Sequence, residues 1–202
     1  MPELAYRDDR AEVHAMVVGP LATNVYVLRC RRTGEAVLID AADRPDLLLE
    51  QSDALGVRSV LQTHGHRDHI GAVTAMRAAG YPVAVGAGDA PLLPGYDEIL
   101  DDGAVVEVGE LQVRTLATPG HTPGSLCFEV HGANLLLSGD TLFPGGPGAT
   151  GGDPTRFASI IHHIETKLFT LAPDTVVLPG HGPATTIGTE RPHLPAWIAR
   201  GW

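Results

Sequence analysis

Four apolar runs in this chain each end in a glycine-flanked turn that carries histidine or aspartate, and this recurrence constrains the fold most. After SVLQ comes Thr63-His64-Gly65-His66-Arg67-Asp68-His69; after LQVRTLAT comes Pro119-Gly120-His121. Asp140 follows NLLL in Ser138-Gly139-Asp140, and His181 follows TVVL in Pro179-Gly180-His181-Gly182. Polar side chains at the ends of four strands meet when those ends share one sheet edge, and glycine beside each lets the backbone turn sharply there. In an extended segment alternate side chains share a face, so His64 and His66 can hold one ion, while the turn that follows aims Asp68 and His69 at a second.

Short apolar or alternating runs predict strands over 13–18, 24–29, 35–40, 57–62, 82–85, 105–108, 111–117, 125–130, 134–138 and 175–178. Helices are expected over 44–55, 71–79 and 154–171, the last with Asp153 as cap and Pro154 at its first position. Phe157, Ile160, Ile161, Ile164 and Leu168 form its buried stripe, with Arg156, His163 and Lys167 on the exposed side. Strands followed by a helix occur twice, over 13–79 and 105–171, which suggests a duplicated unit. Segment 139–153, rich in glycine and proline, reads as a mobile loop beside a site. No composition break marks a linker, so 1–202 reads as a single domain.

Composition narrows the partners. The formal net charge of -10 disfavours nucleic acid. No apolar run spans a bilayer and the acidic start is unlike a signal peptide, so a cytoplasmic, membrane-free location is the expectation. Cys30 and Cys127 lie far apart in strand-like contexts and read as reduced core residues. His14, His131, His162, His163 and His193 stay outside the ligand set, and Asp40, closing the strand GEAVLID, is a candidate for orienting a ligand histidine. Trp197 and Trp202 read as tail residues that pack on a partner or cover the pocket.

With these residues in view, the chain resembles the metallo-β-lactamase superfamily, whose His-x-His-x-Asp-His motif stands as His64, His66, Asp68 and His69. The resemblance implies an α+β fold, a four-layer αββα sandwich of two mixed sheets flanked by helices. It also implies that His64, His66 and His121 hold one ion, that Asp68, His69 and His181 hold another, and that Asp140 bridges them. Two divalent ions are expected, zinc first, with iron or manganese as alternatives.

Aspartate at position 140, rather than cysteine or serine, looks like the glyoxalase II-like branch. The segments SGDTLF, PGHTPGS and PGHGPATTIGTERP resemble short hydroxyacylglutathione hydrolase-like proteins without the helical C-terminal domain; 21 residues follow His181. One departure stands out. Ala149 occupies the loop position where such proteins place Lys or Arg to grip the glutathione carboxylate.

The activity this implies is hydrolysis of a small acyl-thiol substrate, an S-lactoyl or related thioester, with Asp68 as the catalytic residue beside the metals. A persulfide dioxygenase with one ferrous ion on His64, His121 and Asp140 is the alternative. A phosphodiesterase or nuclease, and a metal-binding protein without catalysis, are further readings.

Overall fold

A computed structural model describes residues 2–201. The first half forms a seven-stranded sheet in sequence order. Its strands are β1 (Glu3–Arg7), β2 (Ala11–Val18), β3 (Thr23–Cys30), β4 (Ala36–Ile39), β5 (Val57–Leu61), β6 (Val83–Gly86) and β7 (Glu98–Leu100). Helices α1 (Pro45–Leu55), α2 (Arg67–Ile70) and α3 (Val73–Ala78) lie between them in sequence.

The second half supplies β8 (Val105–Val108), β9 (Leu111–Ala117), β10 (Leu126–His131), β11 (Leu135–Gly139), β14 (Val176–Pro179) and β15 (Thr185–Thr186), a six-stranded sheet in the order β15-β14-β11-β10-β9-β8. Between β11 and β14 come the two-stranded hairpin β12 (Leu142–Phe143) with β13 (Gly146–Pro147), and then α4 (Pro154–Thr166). The chain closes with α5 (Ile187–Glu190) and α6 (Leu194–Arg200).

Three buried clusters correspond to the three interfaces of a four-layer sandwich. Leu28, Ile39, Phe128 and Leu137 are among the residues of both sheets that share the central one. Leu48, Val73 and Met76 of α1 and α3 pack on the outer face of the first sheet. Ile160, Ile164 and Trp197 of α4 and α6 pack on the outer face of the second. The expected α+β fold, two mixed sheets flanked by helices, is what the chain adopts.

The expected duplication is visible as topology. In the first sheet β2, β3 and β4 pair antiparallel, α1 crosses over, and β5 adds parallel to β4. In the second, β9, β10 and β11 pair antiparallel, α4 crosses over, and β14 adds parallel to β11. Parallel addition needs a crossover of helix length, so each unit places the C-terminal ends of its parallel strands at the same edge.

Several expectations need correction. The segment after His66 is not a turn but the short helix α2, and the helix expected over 71–79 is confined to Val73–Ala78. The helix expected over 154–171 ends at Thr166, and Leu168–Thr170 continues as a single 3₁₀ turn. Trp197 is no surface residue: it is 1% exposed and contacts Phe169 in the core. Trp202 lies outside the described residues. Cys30 and Cys127 are free and buried, as expected. Among the described residues no helix is long and apolar enough to cross a membrane.

Candidate metal centre

All seven predicted ligands converge where β5, β9, β11 and β14 end. His64, His66 and His121 offer ligand atoms within 4.8 Å of one another, and Asp68, His69 and His181 do the same. Asp140 lies between the two groups: its Oδ2 is 3.4 Å from His121 Nε2 and 3.6 Å from His181 Nε2, and its Oδ1 is 3.6 Å from His69 Nε2. Asp68 Oδ2 is 3.2 Å from His181 Nε2 and 3.5 Å from His69 Nε2.

The second nitrogen of each ring shows which atom faces the centre. His121 Nδ1 donates to the Ala149 carbonyl at 2.8 Å, and His181 Nδ1 donates to the Leu21 carbonyl at 3.1 Å. His69 Nδ1 meets Asp40 Oδ2 at 2.7 Å, and His64 Nδ1 meets Thr63 Oγ1 at 3.0 Å. A nitrogen that donates there leaves the other with its lone pair, the form in which imidazole binds a metal. These four rings therefore turn Nε2 inward, while His66 presents Nδ1, 2.9 Å from His121 Nε2.

The arrangement fits metal ions. Lone-pair nitrogens placed against one another, such as His69 Nε2 and His181 Nε2 at 3.2 Å, gain nothing from each other directly. Tetrahedral ligands at about 2.0 Å from an ion are about 3.3 Å apart, the spacing found here. His64 Nε2 and Asp140 Oδ1 are buried with no hydrogen-bond partner, which is costly unless a cation meets them. Burial, followed by repulsion from the neighbouring rings, holds the His64 imidazole well below the usual range, and burial also lowers His121, so both favour the neutral form. Burial raises the Asp140 carboxyl despite the surrounding histidines. Burial opposes the charged form of His69 too, but the carboxylates of Asp40, Asp140 and Asp68 together outweigh it and move that ring upward.

Asp40 carries more than one contact. Its Oδ1 accepts from Thr63 N at 2.7 Å and its Oδ2 from Thr63 Oγ1 at 2.8 Å, besides meeting His69. It does so from a left-handed backbone with φ 63°, rare outside glycine, asparagine and aspartate. A third ligand-like grouping of Asp40 with His64 and His69 exists. Its carboxylate is already engaged by these neighbours and serves as a brace for β5's terminal loop.

Other bracing residues were missed by the sequence reading. Asp89, 0% exposed, accepts from Gly65 N and Gly124 N, both at 2.7 Å, and so ties the His64–His66 segment to the loop of His121. Arg156, expected on the exposed side of α4, reaches the carbonyls of Gly120 and His121. Asn24 Nδ2 donates to the carbonyls of Pro179 and Gly182, and Tyr26 OH donates to Pro179, which fastens the His181 loop to β3. The signal was present in Asn24, a polar residue inside an apolar run; Asp89 and Arg156 gave none.

Glycine is needed at two places. A Cβ on Gly180 would collide with Asp140 Oδ1 and His69 Cε1, and one on Gly148 would collide with the Asp140 carbonyl. Of the remaining histidines, His131 ends β10, His162 and His163 lie on α4, His193 is exposed, and His14 sits 3.4 Å from Glu12; none joins a ligand group among the described residues.

Residues 18–181 match the metallo-beta-lactamase superfamily. The chain is 32% identical to the probable metallo-hydrolase YqgX of Bacillus subtilis, over 89% of this chain and 94% of that one. It is 36% identical to the hydroxyacylglutathione hydrolase of Rhodospirillum rubrum, over 68% of this chain but 54% of the relative.

Among solved structures, the BLEG-1 B3 metallo-beta-lactamase superposes with a TM-score of 0.79 at 32% identity, covering 91% of this chain and 98% of that one. TTHA1623, solved in a di-iron-bound form, gives 0.74 at 32%, covering 88% and 96%. ETHE1 from Myxococcus xanthus gives 0.78 at 28%, covering 91% and 83%. The match over most of its length, together with these relatives, shows that the chain belongs to the metallo-beta-lactamase superfamily.

Proposed function

We propose that this chain is a single-domain, cytoplasmic, two-metal hydrolase of small acyl thioesters, S-lactoyl or related. The observation that carries the reading is Asp140 set between two complete groups of three ligands, His64, His66, His121 and Asp68, His69, His181. Bound there, two divalent ions, zinc first and iron or manganese as alternatives, would lower the pKa of a water toward about 7 and polarise a carbonyl.

The chain's own residues supply the rest. His121, His181 and His69, each held through Nδ1, keep their Nε2 atoms fixed toward the centre, which avoids reorganisation during reaction. Asp68, half-buried beside His181, would help to hold an ion there, and its carboxylate is placed to accept a proton at that side of the centre. A thiol of pKa about 8.5 leaves as thiolate, so no further general acid is required.

The similarity to a hydroxyacylglutathione hydrolase supports thioester hydrolysis over the other two-metal chemistries. The alternative, a one-iron dioxygenase on His64, His121 and Asp140, uses residues of the same set, so metal count and redox activity separate the two. The test is free-thiol release from S-lactoyl thioesters of glutathione and of other low-molecular-weight thiols, using protein loaded separately with zinc, iron and manganese. A chromogenic β-lactam and oxygen uptake with a persulfide run in parallel. Thiol release with neither of the others is the expected result; β-lactam cleavage or iron-dependent oxygen uptake without thiol release overturns the reading.

A further inference from the structure

Beside Asp68 opens a cavity of about 390 Å³, walled by Pro20 and Leu21 of the β2–β3 turn, Ala42 and Asp43 after β4, and Arg67 and Asp68 of α2. That volume lies within the range of small-ligand sites, roughly 300 to 1,000 Å³. Two residues join it to the metal centre: Asp68, 3.2 Å from His181, and Leu21, whose carbonyl receives His181 Nδ1. Leu21 leaves 64% of its surface exposed and gives the cavity an apolar wall.

Arg67 is the one cation among the lining residues. It is exposed, and among the described residues its guanidinium has no hydrogen bond or ion pair, although Asp43 and Asp68 line the same cavity. Several other arginines are committed, Arg77 to Asp97, Arg44 to Asp46, and Arg156 to the carbonyls of Gly120 and His121; Arg7 and Arg58 also lack a side-chain partner among the described residues but do not line this cavity. On the opposite side of the centre, the loop bearing Ala149 contains neither lysine nor arginine from 139 to 153. In a chain of net charge -10, an unpaired guanidinium fork beside the reacting centre is where an anionic ligand gains most.

We propose that this cavity is a carboxylate-recognition subsite, in which Arg67 pairs with a carboxylate of the substrate while Leu21 and Pro20 pack its connecting carbons. The substrate class is thus a small thioester bearing a carboxylate, bound with its charged end over the Asp68–His69–His181 side. This deepens the thioester reading, on which the nature of the reacting end rests. Arg67's part is a matter of binding and is measured without turnover.

The test is calorimetric binding of two inert thioethers to metal-loaded protein: S-methylglutathione, with carboxylates on the thiol side, and S-(3-carboxypropyl)-N-acetylcysteamine, with one on the acyl side. S-methyl-N-acetylcysteamine is the uncharged control. Arg67→Met should weaken one or both anions by about tenfold or more and leave the uncharged thioether alike, with Arg67→Lys intermediate because it keeps the charge and loses the fork. The anion that responds identifies the side carrying the carboxylate. Equal binding of both anions by wild type and Arg67→Met, or no anion binding by wild type, overturns the subsite. Absence of turnover with every thioester while anion binding still depends on Arg67 overturns the thioester reading alone.

Discussion

Asp40 shows how one buried carboxylate sets a site it need not ligate. Replacing it with asparagine keeps shape, but an amide nitrogen cannot accept from both Thr63 and His69 as Oδ2 does. Loss of such a partner typically costs 10- to 100-fold in metal affinity. Asp40→Asn is therefore expected to bind metal that much more weakly in a competitive chelator titration, with activity returning at high metal; unchanged affinity would remove the bracing role. Asp140→Ala takes away the carboxylate between the two ligand groups and should lose bound metal and turnover together, read by elemental analysis and thiol release. Gly180→Ala should resemble it, because the added methyl meets Asp140 and His69. The residues gathered at the centre were readable in the chain because metal-binding side chains, and the glycines that bend the backbone beside them, are chemically unlike ordinary turn residues. Asp89 and Arg156 were not, since a carboxylate or guanidinium that caps backbone groups far away in sequence looks like any other surface charge until the loops are placed.

Among the elements, α4 couples local stability to the centre. Asp153 caps it by accepting from Thr155 N at 2.8 Å and Arg156 N at 3.1 Å, with Pro154 at the first position. Asp153→Ala is expected to cost about 1 kcal/mol in urea unfolding. Arg156→Met should cost less stability yet lower turnover, because the carbonyls of Gly120 and His121 lose the side chain that fixes their loop; a variant with full activity would show that loop to be self-supporting. Strands were legible to within about two residues of the expected ends because alternating and continuous apolar runs survive in the packed sheets. Strands β1, β7 and β15, the short β12–β13 hairpin, α5 and α6 were missed: β1 and β7 are short and largely exposed, and two-residue strands leave no periodicity. Helix α2 escaped notice because its four residues are chosen for the centre, with Asp68 and His69 inside it, and not for an apolar stripe.

At the level of the whole molecule, the proposed centre is where the two sheets are joined. The segment His64–His69 follows β5 of the first sheet, whereas His121, Asp140 and His181 follow β9, β11 and β14 of the second. Their loops are already tied by Leu126 N to the Thr63 carbonyl at 2.8 Å and by Asn24 N to the Gly180 carbonyl at 2.7 Å. An ion held by both sheets binds the folded chain and not the unfolded one, so it stabilises the fold by about 2.7 kcal/mol when free metal is 100 times Kd. For a chain of this size that is roughly 5 to 10 °C in Tm. Stripping metal with a chelator should therefore lower Tm by that order, and readdition should restore it in a concentration-dependent way. Asp140→Ala provides the internal control: with its metal affinity reduced, its Tm should change little on chelation. A wild-type Tm indifferent to chelator, under conditions where elemental analysis shows the metal gone, would mean that the loops are assembled by their hydrogen bonds alone and that ions do not link the two sheets.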